Sequence, residues 1–190
     1  MDGDKNTLRQ RLLAERRHLD PADALGRSTR IRDRLWLVPE FLAATCVFTY
    51  VSAKDNEVDT RMVIDRLLAE GREVACPAVV PGGQMVWRKI ASLDDLAPGR
   101  YGIPEPGVSC PIVTPDRATV VLVPGIVFSR NGHRIGYGGG YFDRFLAAFA
   151  GTSIGLAYDF QLVDAVPATA HDVPMNMVIT ERDTIVPSAE

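Results

Sequence analysis

Little in this chain points to thiol chemistry, to nucleic acid or to a bilayer. Its three cysteines, Cys46, Cys76 and Cys110, are odd in number, far apart and form no C-x-x-C. A disulfide framework or a zinc site is therefore not expected. Cys46 and Cys76 lie in apolar, strand-like stretches, where a free cysteine serves as a small core residue. The net charge is −3 over 190 residues, whereas a nucleic-acid partner demands a basic footprint. No apolar run is long enough to span a membrane. The start, Met1-Asp2-Gly3-Asp4-Lys5, carries acids and leads into no apolar core of a signal peptide. What remains is a cytoplasmic protein with small-molecule partners, expected as a monomer, and at this length as a single domain over residues 1–190.

The apolar pattern that is present is of the α/β kind. Residues 4–18 place Leu8, Leu12 and Leu13 among basic residues, as an amphipathic helix does. Asp20-Pro21 reads as an N-cap followed by proline at the first helical position, and the second helix should run to about Leu37, with Pro39 as the break. Thr45 to Val51 reads as a buried strand, residues 59–70 as a helix closed by Gly71, and Glu73 to Cys76 as the next strand, which together form a β-α-β unit. Pro81-Gly82-Gly83 is a turn, Gln84 to Ile90 a more exposed strand, and residues 98–117 a long loop rich in Pro and Gly. Thr119 to Val123 is the clearest buried strand, 142–149 a helix face, and Ser153–Tyr158 and Asn176–Thr180 further strands. The fold class is α/β, a mostly parallel sheet flanked by helices in a three-layer, Rossmann-like arrangement.

Four glycines fall within Gly136 to Gly140, after a buried strand and before a helix. Successive amides in such a loop form an anion-binding nest, and Arg130, Arg134 and Arg144 add positive charge, which describes a phosphate site. A tight structural turn is the plainer alternative, and the flanking arginines, tyrosines and Asp143 weigh against it. Walker A is excluded, since its Lys and Ser/Thr are missing. A dinucleotide fingerprint is weakened by Tyr141 at the third glycine position and by about ten residues between strand and glycines. Asp159 stands roughly where a ribose-binding acid would lie, so a dehydrogenase remains a weak competitor. An interaction protein with a structural glycine turn and a non-catalytic ligand-binding module remain as further alternatives.

The run Val123-Pro124-Gly125-Ile126-Val127-Phe128, followed by Asn131-Gly132-His133-Arg134-Ile135-Gly136-Tyr137-Gly138-Gly139-Gly140-Tyr141-Phe142-Asp143-Arg144, resembles the signature of the 5-formyltetrahydrofolate cyclo-ligases. Lys5 and Arg9, Glu57 to Thr60, Gly102 to Pro106, Tyr158, Gln161, Pro167 and His171-Asp172 extend the resemblance along nearly the whole chain. The resemblance implies an ATP-dependent ring closure of 5-formyltetrahydrofolate with Mg2+. It implies catalytic roles for Arg134 and Tyr141. It implies an ATP site of Lys5, Arg9, Arg134, Ile135, Gly136, Tyr137, Gly138, Gly139, Gly140, Tyr141 and Phe142. Folate would be bound by Glu57, Tyr137, Gly138, Gly139, Gly140 and Tyr141, and the metal by Asp143 and Asp172. Read from the residues alone, Lys5 and Arg9 belong to a solvated basic face with Arg11, Arg16 and Arg17. Asp143 alone is as good a helix cap as a metal acid, and Trp87 is a core aromatic. Phe142 departs from the family's tyrosine, Ala78 from a basic residue and Ser129 from an acid.

Overall fold

Asp20 shows how local chemistry starts an element here. In the computed structural model, which describes residues 2–167, 169 and 172–187, its carboxylate accepts from the amides of Ala22 (2.9 Å) and Asp23 (3.4 Å), with Pro21 at the first turn. The helices are α1 (Asp2–Arg17), α2 (Pro21–Leu35), α3 (Pro39–Ala43), α4 (Arg61–Ala69) and α5 (Tyr141–Leu146). Ala24, Ser28, Ile31 and Leu35 form the buried stripe of α2 at helical spacing. Pro39 breaks α2 as expected but also opens α3, since proline is well tolerated at a first helical position. After α4, Gly71 takes φ 74°. The Arg72 and Gly71 amides donate to the carbonyls of Leu67 and Leu68 (both 3.0 Å), a left-handed closure that favours glycine. Asp20→Ala is expected to cost about 1 kcal/mol of stability, read as a lower melting temperature.

The strands are β1 (Cys46–Thr49), β2 (Glu73–Val79), β3 (Met85–Ile90), β4 (Leu96–Pro98), β5 (Pro104–Pro106), β6 (Ile112–Val113), β7 (Val120–Val123), β8 (Val127–Ser129), β9 (Arg134–Ile135), β10 (Thr152–Leu156), β11 (Leu162–Val163), β12 (Met177–Ile179) and β13 (Thr184–Ile185). Eight of them form the central sheet in the order β13-β12-β10-β7-β1-β2-β3-β6. Neighbours from β12 to β2 run parallel, and β13, β3 and β6 add antiparallel edges. Alternation along β1 and β7 sends Val47 and Leu122 into one apolar layer with α2, α3 and α4, and Phe48 and Val121 into the other with α5. The expected α/β class with a mainly parallel sheet between helices is thus the observed one.

The differences are local. Residues 98–117 are not all loop: β4 and β5 pair as a small hairpin, and β6 extends the sheet. Glu105 accepts from the amides of Val79 and Arg100 (both 3.1 Å), which makes this segment rigid. Gln84 to Ile90 is less exposed than its alternation suggests, because Trp87 and Ile90 are buried. The residues between β7 and the glycines form a hairpin, β8 and β9, flanked by β11. Its apolar face packs with Leu12 of α1 through Ile126, Val127 and Ile135.

The strand order reverses between β1 and β7. Their carboxyl ends open a crevice at which ligands bind in open α/β sheets. The loop 52–60 leaves β1 there, and Pro124-Gly125 leaves β7. Among the described residues, no helix is long and apolar enough to cross a membrane.

Candidate active site

The β8–β9 hairpin holds the glycine loop beside α1. Arg9 Nε donates to the Gly136 carbonyl (2.8 Å). Lys5 Nζ donates to Asp172 Oδ2 (2.7 Å), an acid that also accepts from the Thr169 amide (2.7 Å). Burial pushes the Asp172 carboxyl up, but these hydrogen bonds outweigh it and hold its pKa below the usual value. Lys5 and Arg9 thus face the loop and Asp172, whereas Arg11 and Arg17 are exposed. Gly138 (φ 101°) and Gly140 (φ 66°) have left-handed backbones that open the turn into α5. Gly138 and Gly139 are exposed on top of the site.

Arg134 lies under this loop with its side chain only 4% exposed, and its Nη2 donates to Asp143 Oδ1 (2.7 Å). Burial lowers the Arg134 pKa, offset in part by the charges of Asp143 and Asp172. Asp143 does not cap α5: Gly140 is the N-cap residue, and the carboxylate is turned to Arg134. Asp143 is thus bonded to this guanidinium, and the Asp172 charge acts on it through space.

Two nominated side chains, Ile135 and Phe142, point elsewhere. Ile135 is buried against Leu12 and Ile126, and its carbonyl accepts from the Ile126 amide (2.8 Å), so it offers no free side chain. Phe142 is turned into the core, edge-on to Trp87 at 6.0 Å, where a hydroxyl would be out of place. Trp87 is itself a core residue, 4.7 Å from Phe48. Tyr141 packs beneath Arg144, 5.0 Å from its guanidinium carbon. His171 lies outside the described residues.

Glu57 is on the other side of the crevice. Its Oε2 accepts from the Ala53 amide (3.2 Å). Desolvation raises its pKa, against the opposing charge of Arg16 and the backbone donors of Ala53 and Lys54. Asp59 instead takes the helix-start role, accepting from the Arg61 amide (2.8 Å) and Ser52 Oγ (3.2 Å). A cleft of about 470 Å³ separates this loop from the start of α2, lined by Leu25, Ser28, Lys54, Glu57, Arg61 and Tyr158. A larger hollow of about 670 Å³ lies at the amino ends of β10 and β12 and contains no nominated residue.

Tyr137 bridges the two sides. Its hydroxyl donates to Asp55 Oδ2 (3.2 Å) and accepts from Arg16 Nη2, and Lys54 Nζ sits 4.8 Å from its ring centre. Burial and the Glu57 charge push its phenol pKa up. Arg16, grouped above with a solvated face, is only 2% exposed. A signal for it existed in the sequence, since Lys5, Arg9, Leu12 and Arg16 share one helical face. Asp55 and Asn56 were also missed. Both have left-handed backbones (φ 55° and 51°), which Asp and Asn tolerate best, and Asn56 Nδ2 caps α1 through the carbonyls of Arg16 (3.1 Å) and Leu19 (3.0 Å).

Burial pushes the Cys46 thiol up to about 11 and the Cys76 thiol to about 12, so neither is an activated nucleophile. Asp159 is paired with Arg182 (3.2 Å).

The sequence matches the profile of the 5-formyltetrahydrofolate cyclo-ligase family over residues 1–181. It is 32% identical over 190 residues to a 5-formyltetrahydrofolate cyclo-ligase of Mycolicibacterium smegmatis, covering 96% of each chain. It is 30% identical over 171 residues to the enzyme of that name in Escherichia coli (strain K12), covering 87% of this chain and 93% of the relative. The fold superposes on the 5,10-methenyltetrahydrofolate synthetase of Aquifex aeolicus with a TM-score of 0.86 and 30% identity, over 98% of this chain and 94% of the other.

Proposed function

Because the chain belongs to the 5-formyltetrahydrofolate cyclo-ligase family, a family of ligases, we propose that it converts 5-formyltetrahydrofolate and ATP into 5,10-methenyltetrahydrofolate, ADP and phosphate. The observation that carries this reading is the convergence of Lys5, Arg9, the glycine loop, Arg134 and Glu57 on the crevice between β1 and β7. The family membership displaces the dehydrogenase reading, and Asp159, its one supporting residue, is engaged with Arg182.

The reaction divides into two steps. The formyl oxygen attacks the γ-phosphorus, and ADP leaves. The N10 amine, outside the pterin ring, then attacks the activated formyl carbon and loses its proton to water, and phosphate leaves with the former formyl oxygen. Phosphoryl transfer calls for positioning and charge neutralisation rather than covalent help. The amides of Gly136 to Gly140 supply donors to phosphate oxygens, and Lys5 and Arg9 supply charge on the α1 side. Arg134 acts on the transferring phosphoryl from below the loop, with Tyr141 at its rim. Glu57 accepts hydrogen bonds from the pterin N–H groups.

Asp143 and Asp172 would hold Mg2+. Their side chains are 40% and 19% exposed, and one or two carboxylates completed by phosphate oxygens and water suit this ion. When bound, Mg2+ supplies neutralisation of the phosphate charge. Lys5 and Arg134 pair with the two acids.

The test mixes purified protein, 5-formyltetrahydrofolate and Mg-ATP and follows the near-ultraviolet band of the methenyl product. An ATP-dependent rise is expected. Folate binding with no rise would mark a non-catalytic binder and refute the proposal.

A further inference from the structure

Arg16 has no role in the reaction as set out above, yet it is the largest fully buried charged side chain among the described residues. Its guanidinium lies at the carboxyl ends of the paired strands β1 and β7, where the strand order reverses. Nε donates to the carbonyl of Asp55 (2.8 Å), on the loop that follows β1. Nη1 donates to the carbonyl of Gly125 (3.0 Å), on the turn that follows β7. Nη2 donates to the Tyr137 hydroxyl, on the glycine loop. These acceptors are all uncharged, so the hydrogen bonds do not neutralise the buried charge. Asp55 and Glu57 answer it only through space.

A buried guanidinium is costly when no carboxylate is bonded to it. If stability were its sole purpose, an apolar side chain of similar volume would serve as well. What an apolar side chain cannot do is hold three segments at fixed separations. The planar fork does so because its donors have fixed directions. The three segments are those that bear on the two substrates: the loop carrying Glu57, the turn under the hairpin, and the nucleotide loop.

We infer that Arg16 is a positioning residue that locks the nucleotide loop and the folate loop into one arrangement across the crevice. The inference rests on the cyclo-ligase reading. Phosphoryl transfer from ATP to a folate oxygen requires the two substrates to meet in line, so a small shift of one loop against the other costs turnover more than it costs either binding step. Arg16 also places a positive charge near Glu57. The other groups whose charge bears on that carboxylate are Lys54 on its own loop, Tyr50 just after β1 and Tyr137 on the glycine loop, while Tyr158 donates to the Glu57 backbone carbonyl (3.3 Å). Glu57 must be ionised to accept from pterin N–H groups through both oxygens, and burial already raises its pKa. Loss of the Arg16 charge raises it further, so the acid limb of the kcat/KM profile moves to higher pH.

Two substitutions separate the fork from the charge. Arg16→Lys keeps the charge but has one donor nitrogen, which cannot reach three segments. It is expected to lower kcat by about tenfold or more, with the acid limb unmoved. Arg16→Met is expected to lower kcat as far and to shift the acid limb upward. Near-ultraviolet circular dichroism and melting temperature establish that each variant is folded. Wild-type kcat in folded Arg16→Lys, or an unmoved acid limb in folded Arg16→Met, overturns the inference while leaving the cyclo-ligase reading intact. Should neither variant fold, Tyr137→Phe removes one arm from an exposed side chain. It is expected to lower kcat by more than it raises either Michaelis constant, and an unchanged kcat in folded Tyr137→Phe overturns the inference. A wild-type protein that forms no methenyl product removes the functional reading first, and the inference with it.

Discussion

Asp143→Ala is expected to reduce ATP-dependent methenyl formation by two to three orders of magnitude, about 3–4 kcal/mol of transition-state stabilisation. The reason is that the residue serves two partners. It is one of two carboxylates proposed for Mg2+, and it is the ion-pair partner of a nearly buried guanidinium at 2.7 Å. Its removal strips a metal ligand and also leaves Arg134 without its carboxylate. The second effect lowers stability by about 1–2 kcal/mol, toward the small end because Asp143 is 40% exposed and solvent screens the pair. Asp143→Asn separates the two effects. Its amide oxygen still accepts from Arg134, so the melting temperature should recover in part, while the neutral group should not restore activity. Measured side by side, kcat/KM falls in both variants and stability falls mainly in Asp143→Ala. Full turnover by a folded Asp143→Ala would remove the residue from the proposed metal site.

Gly155→Ala is expected to cause a large loss of stability from one added methyl group. Gly155 is on β10, in the parallel part of the sheet, and a Cβ there would overlap the Phe128 ring. The ring cannot swing away, because its other edge lies against Gly125, where a Cβ would stand 2.5 Å from Cε2. Phe128 is fully buried, and overpacking such a site costs about 1–3 kcal/mol, or roughly 3–10 °C in melting temperature at this chain length. Because the clash is with one side chain, Phe128→Leu combined with Gly155→Ala should cost less than the two single changes added together. Strict additivity would show that the methyl group meets the backbone instead. The pair also matters for function: Phe128 starts the hairpin that leads to the glycine loop, and Gly125 supplies the carbonyl that Arg16 binds.

The parts of the fold that were legible in the sequence are those governed by short-range chemistry. The Asp20-Pro21 cap, the Gly71 closure and the period-3.6 stripe of α2 are settled within a few residues of chain. The buried strands β1, β7 and β10 announce themselves because strands covered on both faces carry continuous apolar runs. The two-residue β9 was not legible, nor was the small hairpin of β4 and β5. Such short strands have no periodicity to read and form only because a partner strand is at hand. Proline at 39 was ambiguous for a related reason, since the same ring that ends one helix suits the first turn of another.

The site divides along the same line. The glycine loop with Arg134 and Asp143, and the pair Lys5 and Arg9, could be named in advance because each is contiguous or lies one helical turn apart. By itself the sequence determined the fold class, the family and the loop around which a phosphate site is proposed. The tertiary structure decided which basic residues are solvated and which are structural. It sent Asp143 to Arg134 instead of to a helix cap, turned Phe142 and Ile135 inward, and buried Arg16 between the ends of β1 and β7. The physical reason is distance along the chain. Arg16 meets Asp55, Gly125 and Tyr137 across 39, 109 and 121 residues. No local preference encodes such contacts, and they exist only once the parallel sheet has brought those loops to one edge.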